Sequence, residues 1–84
     1  MVKVKMQRLK DNELVLSDEY DLEYDEIKKM VNDKSESFDL LQVKKEYMRI
    51  GKYLLPIKFN KKYTDGTKVK YKFEYEPKKE AENG

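Results

Sequence analysis

Alternating lysines near the carboxyl end are the side chains whose type and spacing best suggest a binding chemistry. They recur on one side of the alternating segment LPIKFNKKYTDGTKVKYKFEYE, residues 55–76, at Lys58, Lys62, Lys68, Lys70 and Lys72. Ammonium groups arranged on one face can neutralise phosphates without reading a nucleotide sequence. We name these five residues the lysine face and treat it as a candidate surface for an anionic partner. Two alternatives stay open: a merely solvated face, and a contact with an acidic segment of the same chain.

An acidic block lies near the amino end. Residues 11–26 carry eight carboxylates and no basic residue, although the net charge of the whole chain is only +2. This uneven distribution predicts a strongly dipolar molecule. The carboxylates that we nominate as a candidate acidic face are Asp18, Glu19, Asp21 and Glu23. The structural alternative is a helix amino terminus with a solvated segment before it.

Catalytic chemistry has little support in the composition. The chain contains no His and no Cys, which removes the commonest general base, a common nucleophile and the preferred ligands of transition metals. The three glycines lie far apart, so no glycine-rich phosphate loop is present. We therefore expect no enzymatic activity, no metal and no cofactor.

The lysine face depends on one long β-hairpin that turns at Asp65–Gly66. A two-residue turn would place the apolar residues of one strand on the charged face of the other, so the hydrophobic pattern selects a three-residue loop, residues 64–66, with Gly66 left-handed. This register pairs Phe59 with Tyr71, Ile57 with Phe73, and Leu55 with Tyr75. It also sets Lys58 opposite Lys72, Lys62 opposite Lys68, and Asn60 opposite Lys70.

The amino-terminal third predicts a shorter hairpin followed by a helix. Alternation predicts strands over residues 2–7 and 13–17, and a three-residue loop with Asn12 left-handed would pair Met6 with Leu16. The following helix is predicted from residue 22 or 23 to residue 32. Its apolar residues fall on one helical face: Tyr24, Ile27, Met30 and Val31.

Residues 38–50 fit two structures. A helix would have Ser37 as its N-cap, basic residues in its last turns and Gly51 just after its end. A hairpin turning at Lys45–Glu46 would also match apolar residues across its strands. That turn requires positive φ at Lys and Glu, which is unfavourable, so the sequence favours the helix.

These elements predict a small single α+β domain over residues 1–76, with a flexible tail at residues 77–84. An antiparallel sheet, formed by the amino-terminal hairpin and the long carboxyl-terminal hairpin, packs against one or two helices. The predicted core comprises Val4, Met6, Leu14, Leu16, Ile27, Met30, Val31, Leu41, Ile57, Phe59, Val69, Tyr71 and Phe73.

The function expected from these features is binding. We expect a cytoplasmic accessory protein, encoded by a phage or another mobile element, that contacts a protein partner or itself through its charge-asymmetric surface. The alternative is non-specific nucleic-acid binding through the lysine face. No apolar run approaches membrane-spanning length and the amino end lacks a signal-peptide pattern, so no membrane partner is expected.

Overall fold

Five antiparallel strands and one helix form the domain in a computed structural model, which describes residues 1–35 and 38–75. The elements are β1 (Val2–Lys10), β2 (Glu13–Leu22), α1 (Tyr24–Asn32), β3 (Leu40–Ile50), β4 (Tyr53–Tyr63) and β5 (Thr67–Tyr75). The strand order is β2-β1-β5-β4-β3, so β1 and β5 join the amino-terminal hairpin to the long carboxyl-terminal one. The predicted α+β fold is confirmed, with one helix. The predicted tail lies outside the described residues.

The helix lies on one face of the sheet and completes the core there. Ile27 and Val31 of α1 pack with Val4, Phe59 and Phe73 of the sheet. Burial of each such side chain contributes about 1.5–3 kcal/mol. The helix begins at Tyr24, just after the predicted start at residue 22 or 23. A capping box joins Glu23 and Glu26, in which the Glu23 amide donates to Oε2 of Glu26 at 2.9 Å.

Three residues of the predicted core are on the surface instead. Leu14, Leu16 and Leu41 are 58%, 45% and 61% exposed, so their assignment to the core was wrong. They belong to β2 and β3, the two outer strands of the sheet, which the helix of nine residues leaves largely uncovered. The other predicted core residues are buried or half-buried, and Val2 joins them.

The long carboxyl-terminal hairpin has the predicted register around its loop. Phe59 lies opposite Tyr71. Gly66 has a φ of +91°, the left-handed conformation predicted for it. The ladder between β4 and β5 runs from the Lys58–Lys72 pair to the Lys62–Lys68 pair. The predicted pairs Ile57–Phe73 and Leu55–Tyr75 lie beyond the end of this ladder.

The amino-terminal hairpin has a different register from the predicted one. Asn12 is left-handed as expected, with a φ of 70°, but Asp11 also has a positive φ of 50°, which gives a two-residue turn. Leu14 pairs with Leu9 and Leu16 pairs with Arg8, so Val15 forms a bulge. The predicted Met6–Leu16 pair was wrong, and Met6 lies opposite Asp18.

Two segments are strands that the sequence assigned otherwise. Strand β2 continues through the acidic block to Leu22, so this block is not a solvated lead-in to the helix. Residues 40–50 form one uninterrupted strand, so both the helix and the hairpin turning at Lys45–Glu46 were wrong. Gly51, with a φ of +61°, serves the turn between β3 and β4 instead of ending a helix. Pairing along β4 outweighs the local helix preference.

Candidate binding surfaces

The lysine face lies on the side of the sheet opposite the helix, which we call the open face. Side chains alternate along a strand, and directly paired residues of neighbouring strands share a face. Phe59, Val69 and Phe73 are buried on the helix-covered face, so the alternating lysines of β4 and β5 point to the opposite face. Four of the five are exposed, and Lys68 is half-buried.

Like charges meet at the centre of this face. Lys72 lies directly opposite Lys58 on one side and Lys5 on the other. Glu74 offsets part of this repulsion, since its carboxylate lies 3.2 Å from Nζ of Lys5 and 3.9 Å from Nζ of Lys72. A hydrogen bond from Lys5, together with the nearby lysine charges, lowers the pKa of Glu74.

Three lysines of the face, Lys58, Lys62 and Lys70, have no ion pair within the described residues, although Glu46 of β3 lies directly opposite Lys58. Lys68 donates a 2.9 Å hydrogen bond to Oδ1 of Asn12 in the neighbouring turn. The ammonium groups of these lysines therefore remain largely available for hydrogen bonds with solvent.

The nominated acidic residues do not gather on one surface. Glu19 and Asp21 lie opposite Lys5 and Lys3 on the open face, and Glu19 forms a 3.5 Å ion pair with Lys3. Asp18 lies on the helix-covered face opposite Met6, whereas Glu23 caps the helix. The ion pair of the acidic strand β2 is thus formed with Lys3 of β1, which is not part of the lysine face.

A two-stranded arm, residues 47–56, is the main surface feature that the sequence did not indicate. Strands β3 and β4 pair as far as Ile50 and Tyr53, whereas the β4–β5 ladder stops at Lys58. The arm exposes five large apolar side chains, each 37–62% accessible: Tyr47, Met48, Ile50, Tyr53 and Leu54. The apolar run at residues 53–57 is visible in the sequence, but nothing in it indicated that Tyr53 and Leu54 would be exposed.

The outer edge of β3 extends from the arm along the sheet. In the part of the chain that the structure describes, no strand pairs with that edge. Every residue of β3 except Leu40 is exposed. Lys44, Lys45 and Glu46 occupy its middle, and no proline interrupts it. An unpaired edge of this length presents a row of backbone donors and acceptors.

Neither a clustered metal site nor a membrane helix is seen in residues 1–35 and 38–75. No three carboxylates come together there in an arrangement suited to a metal ion. No helix there has the length and apolar character that a bilayer crossing requires.

Comparisons with known proteins give no relative from which a function can be transferred. No protein-family model, curated protein or solved structure matches this chain.

Proposed function

We propose that this chain is a non-enzymatic accessory protein that acts through protein–protein contacts, with the arm as its docking element. The observation that carries the proposal is the exposure of five large apolar side chains on residues 47–56. Strand alternation and pairing distribute these side chains over both faces of the ribbon, and exposed apolar groups concentrated on one short segment are typical of an interaction site.

The construction of the arm supports the same function. A two-stranded ribbon is marginally stable alone in water, whereas further strands or a packed face stabilise it. A docked partner would cover the apolar side chains and supply that missing packing. Tyr47, Tyr53 and Arg49 add residue types that are enriched at protein interfaces.

The distribution of charge gives such a contact an orientation. Carboxylates concentrate on β2 at one outer strand, whereas the lysine face occupies β4 and β5. Such an asymmetric charge distribution can orient a charged partner over long range and increase the rate of association, although β2 and the arm lie at opposite edges of the sheet. The apolar arm would then supply contact energy and the charged strands would select the approach.

Affinity capture with a matched pair of variants tests the proposal. The arm variant carries Ile50→Ser and Leu54→Ser, and the control carries Leu14→Ser and Val15→Thr, which alter exposed apolar residues of β2. We expect wild type and control to retain the same binding partner from the native host, with the arm variant reducing its capture about tenfold or more. Equal capture by all three folded proteins would contradict docking through the arm.

Nucleic-acid binding is the second candidate, favoured by the shared open face of the five lysines. The binding would be weak, independent of base sequence and steeply salt-dependent. Titration of single- and double-stranded DNA and RNA at low and moderate salt tests it. Replacement of Lys68, Lys70 and Lys72 by Glu should abolish the binding. A control with Glu at exposed Lys28, Lys29 and Lys34 has the same net charge and should preserve most of it. Absence of binding at low salt would contradict this candidate.

A further inference from the structure

The outer edge of β3 carries a charge pattern that is complementary to itself. We infer that two copies of this chain pair antiparallel along their β3 edges, about a two-fold axis at Lys45, to form one continuous sheet. This inference rests on the proposed function, because it names a second copy as the protein that docks. Strand β3 is continuous from residue 40 to residue 50, and Lys45 is its central residue.

The geometry of a sheet limits the registers available. A two-fold axis perpendicular to the sheet keeps the open face of both copies on the same side. Directly opposed residues must then point to the same face, so each register is centred on one residue that meets its own copy. A register centred on Lys45 pairs all eleven residues of β3 with the second copy, more than any other register.

Charges select this register over its neighbours. Centred on Lys45, Lys44 lies opposite Glu46 of the partner subunit, and the symmetry repeats this ion pair. Both residues face the open side, because they pair within the chain with Asn60 and Lys58. A register centred on Lys44 sets Glu46 against Gln42 of the partner subunit. One centred on Glu46 opposes the two Glu46 carboxylates, and neither alternative contains an opposite-charge pair.

The helix-covered side gains an apolar contact in the same register. Val43 comes opposite Tyr47 of the partner subunit, again twice. These two side chains are 37% and 45% exposed in the single chain. Aromatic and β-branched residues opposed across strands stabilise a sheet. The interface therefore combines ion pairs on one face with apolar pairs on the other.

Lys45 would meet its own copy at the axis, which is the unfavourable element of this register. Its ammonium, however, lies 6.0 Å from the ring centroid of Phe59 in β4. The side chain is thus directed inward over its own sheet, which separates the two ammonium groups. The two Lys45 ammonium groups still repel each other at the axis. An acidic residue at position 45 of one copy should therefore favour pairing with a wild-type copy, and only a register centred on Lys45 predicts this preference.

Charge variants measured by sedimentation over a protein concentration series test the pairing. Wild type should form a dimer, and Glu46→Lys should weaken it about tenfold by opposing lysines at both former ion pairs. The double variant Lys44→Glu/Glu46→Lys reverses both charges and should restore dimerisation. It retains the lysine placed opposite Lys58, so a loss of folding would affect the single and the double variant alike.

A mixing experiment tests the axis without relying on a weakened protein. Lys45→Glu opposes two carboxylates in its own homodimer but pairs Glu with Lys when mixed with wild type. Native mass spectrometry of equal amounts should show heterodimers clearly above the statistical half of all dimers. A statistical mixture would overturn the Lys45-centred register.

Three other results would exclude this pairing, and they differ in what they mean for docking through the arm. If the chain stayed monomeric up to about millimolar concentration, where even weak dimers form, the pairing would be excluded. Affinity capture would then still test docking through the arm. A dimer lost with the Ile50→Ser/Leu54→Ser variant but insensitive to all the charge variants would retain the arm and exclude this register. Open-ended polymers would indicate that the acidic β2 edge of the next copy occupies β3.

Discussion

The hydroxyl of Tyr75 donates a 2.6 Å hydrogen bond to the backbone carbonyl of Pro56. This bond joins the last residue of β5 to the base of the arm, beyond the end of the β4–β5 ladder. The register of β3 and β4 shifts at the same place, between Glu46 and Tyr47. Tyr75 therefore anchors the two-stranded arm where regular strand pairing has ended.

Removing this hydroxyl should loosen the arm. We expect Tyr75→Phe to lower the free energy of unfolding by about 1 kcal/mol, the typical contribution of one hydrogen bond. Urea denaturation measures this loss, and faster amide exchange over residues 47–56 locates it. Tyr53→Phe, at an exposed tyrosine of the arm, is the matched control and should change neither quantity. Identical behaviour of the two variants would exclude the anchoring role.

The same tyrosine should make stability fall at alkaline pH. Burial raises the pKa of Tyr75 from 10.0 to about 12. Because the folded chain holds this proton more tightly, its contribution is fully present below the unfolded pKa of 10.0 and is lost as pH rises through the folded value of about 12. The wild-type advantage over Tyr75→Phe should therefore shrink across this interval. A difference that stays constant in denaturant titrations across it would contradict the raised pKa.

The loop before β5 predicts a contrast between two glycines. Gly66 and Gly51 both have positive φ, but only at Gly66 would a Cβ atom collide with the carboxylate of Asp11. Each Ala substitution should lose about 1–2 kcal/mol for left-handed backbone, with a small additional loss at Gly66→Ala, because the exposed Asp11 carboxylate must move away from the new Cβ atom. Thermal or urea unfolding of the two variants measures the difference. Equal destabilisation would mean that the contact between the two hairpin turns gives no constraint.

Relief of repulsion on the open face should stabilise the chain. Lys72→Glu places a carboxylate directly between Lys5 and Lys58, so we expect a gain of about 0.5 kcal/mol that diminishes with salt. Denaturation at low and high ionic strength measures both effects. Lys52→Glu, in the exposed turn between β3 and β4, has the same net charge and should give a smaller change. A loss of stability at low salt would show that the lysines are not in mutual repulsion.

Local rules were sufficient where one pattern determined one structure. The three-residue loop at residues 64–66 set the register of the long hairpin, and alternation then assigned Phe59, Val69 and Phe73 to the core and the lysines to the other face. The spacing of the apolar residues Tyr24, Ile27, Met30 and Val31 likewise located the helix, which runs from Tyr24 to Asn32. In both places, neighbouring residues carry the information that specifies the structure.

Features that depend on distant pairing could not be read in the same way. The 40–50 segment has helix-compatible spacing, and only its partner β4 makes it a strand. The exposure of Leu16 and Leu41 follows from the sheet order, which places β2 and β3 at the outside, whereas the pairing of Leu14 with Leu9 places Leu14 on the open face. The arm depends on where the β4–β5 ladder ends, a property of three strands together.

Amide hydrogen exchange of β3 at two protein concentrations shows whether the outer edge of this strand meets a second copy. We expect amides between residues 42 and 48 to exchange more slowly at high concentration, with those of β2 unchanged. Exchange from β3 that is fast and independent of concentration would contradict pairing along this edge.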